Sequence, residues 1–259
     1  MEEQVQQHRY FLQMAYNGAP YHGWQLQPNA VTVQEVLQHA VSTLTRENTE
    51  VVGAGRTDTG VHASFFVAHF NLTNPLENTD RFARKLNAFL SDDIHIATVF
   101  PVSTDMHARF SATSRTYRYY VSEQKEPFRK GFVLKINQDL DVELMNQAAQ
   151  LLLQTNDFTS FSKLHTDVNN NLCKVTSARW SREGTLLIFE ITANRFLRNM
   201  VRAIVGTLID VGKGKLSVDG FWNTIQSKNR CEAGTSVFGG ALFLTDIQYP
   251  EPVNSMLMR

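Results

Sequence analysis

The 259-residue sequence has little cysteine: Cys173 and Cys231 stand far apart and form no C-x-x-C pair. Two thiols are too few for a cysteine zinc site, and we expect both to be reduced. No apolar run approaches the roughly 18 to 20 residues needed to cross a bilayer. The acidic, polar start Met1–Gln4 does not resemble a signal peptide. These absences predict a globular protein of the cytoplasm without membrane association.

An excess of charge of one sign is also absent. The chain carries 25 basic and 25 acidic residues, so it lacks the overall positive charge of many nucleic-acid binders. The charge is uneven, however. Residues 106–135 contain seven basic and two acidic side chains, and residues 194–215 contain five basic and one acidic. Two interpretations stay open: one phosphate-binding face, or scattered arginines in contact with solvent.

Hydrophobic periodicity in the first half predicts the order β-α-β-β-α-β. The predicted strands are residues 10–16, 50–55, 62–72 and 94–102. The first helix is opened by a capping box, in which Thr32 is followed three residues later by Glu35. Asp80 is predicted to cap the second helix.

The second half repeats this order. Its predicted strands are residues 115–121, 175–182, 185–192 and 242–249, and its helices cover 142–153, 196–211 and a segment opened by Ser217. The repeat predicts an α+β fold with two ferredoxin-like halves, a joined mixed, mainly antiparallel sheet and a central cleft. We expect residues 8–105 and 106–250 to form the two halves, with flexible ends at 1–7 and 251–259.

The segment Gly53–Ala63 places three glycines around Arg56 and Asp58, directly after a predicted strand. Glycine permits a tight turn and the close approach of a ligand. Asp58 would then stand at a loop tip, where catalytic groups are commonly held. The alternative is a plain turn in which Asp58 bonds local amides and pairs with Arg56. The spacing is neither that of a Rossmann fold nor that of a P-loop, so a nucleotide-cofactor site is not indicated.

Arginines alternate with tyrosines in His107–Tyr120. Such side chains can bind phosphates and stack on unpaired bases, and Tyr117 and Tyr119 would share one face of a strand. The alternative is an aromatic strand of an ordinary sheet.

Three arginines, Arg195, Arg198 and Arg202, are spaced i, i+3 and i+7 in a predicted helix and so predict a basic edge. An arginine partly buried there needs a carboxylate partner, for which Asp58 is a candidate. The alternative is a basic helix face in contact with solvent.

Together these segments resemble the TruA family, the family of tRNA pseudouridine synthase A. The resemblance covers essentially the whole chain in order, through Tyr16–Gly18, Tyr21–Gln25, Gly55–Asp58, Ala108–Thr113, Asp157–Phe161, Met200–Arg202 and Val205–Gly206. One stretch departs from it. After Ala233–Thr235 the family usually has a small segment with proline and alanine, whereas this chain has Ser236–Gly240.

The resemblance implies a cofactor-free and metal-free isomerase that converts uridine to pseudouridine at positions 38 to 40 of tRNA. Asp58 would be the catalytic carboxylate, attacking C1′ or removing the C2′ proton. Tyr117 would stack on the target uracil, Arg202 would pair with Asp58, and Arg56 would hold the flipped nucleotide. The resemblance also implies a homodimer.

Two other function classes remain as rivals. The first is a non-catalytic RNA-binding or tRNA-folding module on the same scaffold, which would have no use for Asp58. The second is a glycoside hydrolase or nucleosidase, which would usually need a second carboxylate. No acidic partner for Asp58 stands in the three motif segments, where arginine and tyrosine dominate.

Overall fold

A computed structural model of the chain describes residues 7–163 and 170–259. The chain forms two compact units, of which unit 1 runs to Thr113 and also contains Thr245–Arg259, while unit 2 is Ser114–Leu244. The predicted α+β class with a mixed, mainly antiparallel sheet is confirmed. The expected flexible start at residues 1–7 lies, except for residue 7, outside the described residues.

Unit 1 follows the predicted order of elements. It contains β1 (His8–Tyr16), α1 (Val33–Thr45), β2 (Val51–Gly53), β3 (His62–Leu72), α2 (Thr79–Phe89) and β4 (Ile94–Val102). Its strands lie in the order β4-β1-β3-β2, and every pair is antiparallel. This is the interleaved order of a ferredoxin-like unit, in which the first and third strands are central.

The two helices of unit 1 begin at polar caps. Thr32 caps α1 by accepting a hydrogen bond from the backbone N–H of Glu35 at 3.3 Å, as the capping box predicts. The prediction that Asp80 caps α2 is wrong. Asn78 is the cap, and its Oδ1 accepts from the Arg81 N–H at 2.7 Å. Asp80 lies in the first turn, where the helix dipole favours a carboxylate.

The described part of unit 2 contains three long strands and three α-helices. They are β5 (Ser114–Ser122), α3 (Val142–Gln150), β7 (Val175–Glu183), β8 (Leu186–Ala193), α4 (Met200–Gly212) and α5 (Val218–Ser227). A two-residue strand, β6 (Leu134–Lys135), pairs with β5 in parallel and is too short to show in the sequence pattern. β5, β8 and β7 are antiparallel neighbours. The chain leaves unit 2 within β9 (Leu242–Gln248).

The start of α4 corrects a prediction. The sequence pattern predicts a helix from Phe196, but α4 begins at Met200, because Asn199 takes a left-handed conformation with φ 67°. Arg195 and Arg198 therefore precede the helix, and the predicted basic edge is wrong. Of the three arginines, Arg202 alone lies in α4.

The C-terminal residues, expected to be a flexible end, make defined contacts within unit 1. The short helix α6 (Val253–Met256) precedes a buried Leu257. The side-chain amide of Gln13 donates to the Met258 carbonyl at 2.6 Å and accepts from the Met258 N–H at 2.8 Å. Arg259 pairs with Asp246 at 2.8 Å. None of the helices in residues 7–163 and 170–259 is long and apolar enough to span a bilayer.

Candidate active site

The loop between β2 and β3 carries Arg56 and Asp58 on either side of Thr57, which is only 7% exposed. The Thr57 hydroxyl shares a buried hydrogen bond of 2.9 Å with the Tyr16 hydroxyl. The Thr57 carbonyl accepts from the Trp24 N–H at 3.2 Å. Because both its side chain and its main chain are held, Thr57 fixes the backbone on which the half-buried Asp58 and the exposed Arg56 stand.

Three hydrogen bonds close the far side of this loop. The Val61 N–H donates to the Asp58 carbonyl at 3.1 Å, and the Gly60 N–H to the Tyr21 carbonyl at 3.4 Å. The Gly18 N–H donates to Nδ1 of the buried His62 at 3.0 Å. A nitrogen that accepts must be unprotonated, so His62 orders the loop with Nδ1 as an acceptor.

Two glycines allow the segment Tyr16–Gln25 to lie directly on this loop. Gly23 has φ 86°, and a Cβ there would stand 2.5 Å from the Thr57 carbonyl oxygen. A Cβ on Gly53 would stand 2.4 Å from the Trp24 ring. Side chains cannot be accommodated at such distances, so the Thr57 backbone and the Trp24 ring can approach only because both residues are glycine. This packing places Tyr21–Gln25 and Gly55–Asp58, which are distant in sequence, against each other in the structure.

Tyr117 lies in unit 2, in β5 opposite Ile191. It is half-buried, and its ring packs edge-on against Phe196 with centroids 5.1 Å apart. Arg118, which points to the other side of the strand, forms a 2.6 Å ion pair with Glu190 on the surface. In this alternation of arginines and tyrosines, the Tyr117 ring is therefore held by Phe196, whereas the Arg118 side chain is held by Glu190.

Arg202 lies in the first turn of α4, and both its side chain and its main chain bond Val237. Its Nε donates to the Val237 carbonyl at 2.8 Å, and its own carbonyl accepts from the Val237 N–H at 3.2 Å. Burial raises the pKa of the neighbouring Tyr119, and the positive charge of Arg202 opposes that shift. The Tyr119 hydroxyl donates to the Phe238 carbonyl at 2.8 Å. Two adjacent carbonyls therefore hold Arg202 and Tyr119.

The segment Ser236–Gly240 thus lies against the start of α4. Ser236 Oγ accepts from the side chains of Asn199 at 2.6 Å and Arg230 at 2.9 Å. A Cβ on Gly206 would stand 2.0 Å from the Thr235 carbonyl oxygen, so α4 is in close backbone contact with the residue that precedes this segment. Sequence reasoning missed Val237 and Phe238, because backbone carbonyls do the work and any residue can supply them.

The Ala108–Thr113 motif has a structural role within unit 1. The N–H of the buried Ala108 donates to Nδ1 of His69 at 3.2 Å, and the Tyr249 hydroxyl donates to the Ala108 carbonyl at 2.5 Å. Burial lowers the pKa of His69 to about 4, with the charges of His107 and Arg9 adding to the effect. His69 is therefore a neutral hydrogen-bond acceptor near pH 7.

The Asp157–Phe161 motif is likewise part of the scaffold, in unit 2. Asp157 Oδ1 accepts from the Thr159 N–H at 3.0 Å and from its hydroxyl at 2.6 Å. Phe158 and Phe161 are fully buried. The motif is thus a turn that inserts two aromatic rings into the core.

The structure therefore brings Asp58 and Arg56 together in one clamped loop of unit 1. In unit 2 it places Arg202 beside Tyr119, and Tyr117 beside Phe196. The supports of the Asp58 loop, Tyr16 and Thr57, were not singled out as site residues. The signal that identifies them is their position in the segments that flank a catalytic candidate.

Comparison with known proteins places these features in a family. A family model described as tRNA pseudouridine synthase matches residues 13–111 and 148–250, which include Asp58 and Arg202, while Tyr117 lies between the two matched segments. Similar proteins include tRNA pseudouridine synthase A of Bacteroides fragilis, 53% identical over 246 residues, covering 95% of this chain and 98% of the relative. That of Parabacteroides distasonis is 53% identical over 243 residues (94% and 96%). That of Shewanella amazonensis is 39% identical over 247 residues, covering 94% of each chain.

Proposed function

Because the chain belongs to the tRNA pseudouridine synthase family, and is thereby an isomerase, we propose that it converts uridine to pseudouridine in the anticodon arm of tRNA, at positions 38 to 40. The observation that carries this proposal is the clamped Gly55–Asp58 loop, which presents a half-buried carboxylate on a backbone fixed at Thr57. Asp58 is the catalytic carboxylate in this proposal.

The reaction is an internal exchange of bonds. The N1–C1′ glycosidic bond breaks, the uracil turns, a C5–C1′ bond forms, the proton on C5 is lost to solvent, and N1, which keeps the electron pair of the broken bond, takes up a proton. Because no electrons leave the substrate and no group is added, side chains of this chain can supply what the reaction requires, and no cofactor or metal is part of the proposal.

Asp58 can act in either of two ways. Attack of a carboxylate oxygen on C1′ is nucleophilic catalysis and forms a covalent intermediate, whereas removal of the C2′ proton is general base catalysis. Both need an ionised carboxylate, which a nearby cation favours. In this proposal Arg202 is that cation, and its Nε–H bond to the Val237 carbonyl fixes the orientation of the guanidinium group.

The substrate must leave the base stack to reach the carboxylate. Unstacking costs a few kcal/mol, which stacking on an aromatic ring can offset. We assign that stacking to Tyr117, whose half-exposed ring is supported from the side by Phe196. Arg56, exposed in the Asp58 loop, holds the flipped nucleotide.

The test uses tRNA transcripts labelled with [5-³H]uridine that carry uridine at one of positions 38, 39 and 40, and cytidine at the other two. Tritium release from at least one of the three supports the proposal. A transcript with cytidine at all three positions is the matched control, and no release from it is expected. Tight binding of all four transcripts without any release would favour the non-catalytic RNA-binding module.

We further propose a homodimer in the cytoplasm. Two copies would pool their local basic surfaces around one tRNA, which a chain of zero net charge needs more than a basic one. Analytical ultracentrifugation tests this directly, because a single species of monomer mass that binds tRNA tightly would contradict the dimer.

A further inference from the structure

The chain between β5 and β6 forms an excursion whose two ends are fixed at the same place. The Gln124 N–H donates to Ser122 Oγ at 3.2 Å, and the Ile136 N–H donates to the Ser122 carbonyl at 2.9 Å. Leu134 pairs with Val121 in parallel. Because both ends bond the last residues of β5, the excursion is anchored to the sheet of unit 2.

Positive charge collects on this excursion. Four cationic side chains, hereafter the basic platform, line one depression of about 320 Å³: Lys125, Arg129, Lys130 and Lys135. Glu126, which also lines it, is engaged by Arg129 at 3.5 Å and by the Thr185 hydroxyl. The three lysines therefore leave a net positive charge on a chain whose total is zero.

An aromatic ring stands among these charges. Phe128, in the short turn Pro127–Arg129, is 100% exposed. The ring is therefore fully accessible to a binding partner. Aromatic rings flanked by cations are the combination that binds single-stranded nucleic acid, by stacking on bases and contacting phosphates.

The excursion also reaches the segment that holds Arg202. A Cβ on Gly240 would stand 2.6 Å from the Gly131 carbonyl oxygen and 2.5 Å from the Phe238 ring. Val237, next to Phe238, bonds both the side chain and the main chain of Arg202. The basic platform is thus connected to the arginine of the candidate site by one run of close contacts within unit 2.

We propose that the basic platform binds the phosphates of the RNA strand that continues from the reacting uridine, and that Phe128 stacks on an unpaired base of that strand. This inference rests on the proposed function, because it takes RNA as the substrate. It assigns the contacts to a stretch, residues 123–135, that lies between the two segments matching the family model.

The experiment measures the affinity for unmodified tRNA at several salt concentrations. Lys125→Gln with Lys130→Gln removes two phosphate contacts, so the slope of log K against log salt should fall by about two and the affinity by about tenfold. The matched control is Arg81→Gln with Lys85→Gln, an identical change of charge on the exposed side of α2 in unit 1. It should change neither quantity.

A third variant separates stacking from charge. Phe128→Ala should lower the affinity about fivefold or more and leave the salt slope unchanged. Lys125→Arg with Lys130→Arg should retain both affinity and slope, because it keeps the charges.

Two results would overturn the proposal. Equal losses in the Arg81/Lys85 control would show that net charge alone governs binding. Unchanged tRNA affinity, together with a shift from dimer to monomer in Phe128→Ala by ultracentrifugation, would make the platform an interface between protein chains. Failure of the proposed function is distinguishable, because it appears as tRNA binding by wild type without tritium release.

Discussion

The Asp58 loop of unit 1 and the Arg202 region of unit 2 are both fixed by a second segment, but by different atoms. The Asp58 loop is held by a hydrogen bond between two side chains, the hydroxyls of Tyr16 and Thr57. It also requires a residue without a side chain, because Gly23 leaves room for the Thr57 carbonyl. Arg202 instead bonds the carbonyl and the N–H of Val237.

The two regions differ in which residues tolerate substitution. Any residue but proline supplies the carbonyl and N–H that hold Arg202, so the side chain at Val237 can vary while the arginine stays in place. The Asp58 loop has no such freedom, since a side chain at Gly23 or the loss of the Tyr16 hydroxyl changes the clamp itself. Around Asp58 the identity of the residues is therefore constrained. Around Arg202 the geometry of the backbone is constrained instead.

The largest expected effect comes from Gly23→Ala. The new Cβ would stand 2.5 Å from the Thr57 carbonyl oxygen, in a backbone with φ 86°, so the loop must move or the segment must strain. We expect a loss of about 3 kcal/mol in the free energy of unfolding, measured in urea, and the loss of tritium release. Gly55→Ala is the control for stability, because nothing lies within 4 Å of its Cβ. An equal loss of unfolding free energy in both variants would contradict the clamp.

A smaller effect is expected from Tyr16→Phe. The variant leaves Thr57 without its 2.9 Å hydroxyl partner, which should cost about 1 kcal/mol of stability. Displacement of Asp58 should slow tritium release at saturating tRNA by about tenfold. Tyr10→Phe is the matched control in the same strand, where the hydroxyl accepts from the Leu76 N–H at 2.8 Å. Tyr10→Phe should lose a similar amount of stability but release tritium at the wild-type rate. Slow tritium release by Tyr10→Phe would contradict the special role of Tyr16.

The smallest effect is expected from Val237→Ala. The substitution keeps the carbonyl and N–H that bond Arg202, so stability should fall by less than about 1 kcal/mol and the release rate should stay within about twofold. The same two assays check both quantities. A rate loss as large as that of Tyr16→Phe would show that side chains, too, hold the arginine, and the contrast between the two regions would disappear.

Much of the fold followed from periodicity and caps. The predicted strand at residues 62–72 coincides with β3, and Thr32 and Ser217 cap their helices as read from the sequence. The errors have local causes. Asn78 competes with Asp80 as a cap, and the left-handed Asn199 delays α4 by four residues despite the apolar pattern before it.

The sequence indicates the candidate reactive residues, whose roles stay predictions, but not the residues that support them. Asp58 stands in a glycine-rich loop after a strand, a pattern that is visible in sequence. The hydrogen bond between Tyr16 and Thr57 joins residues 41 positions apart. The hydrogen bond of Arg202 to Val237 uses a backbone carbonyl, which every residue type has and which the sequence therefore cannot indicate. Such contacts depend on tertiary structure.

The most direct measurement is tritium release from [5-³H]uridine-labelled tRNA by wild type, Asp58→Asn and Asp92→Asn, with tRNA binding measured in parallel. Asp92 is an exposed carboxylate in the turn before β4 and controls for the loss of a charge. We predict release by wild type and Asp92→Asn, and none by Asp58→Asn, although all three bind tRNA. Release by Asp58→Asn at the wild-type rate would contradict the assignment of Asp58 as the catalytic carboxylate.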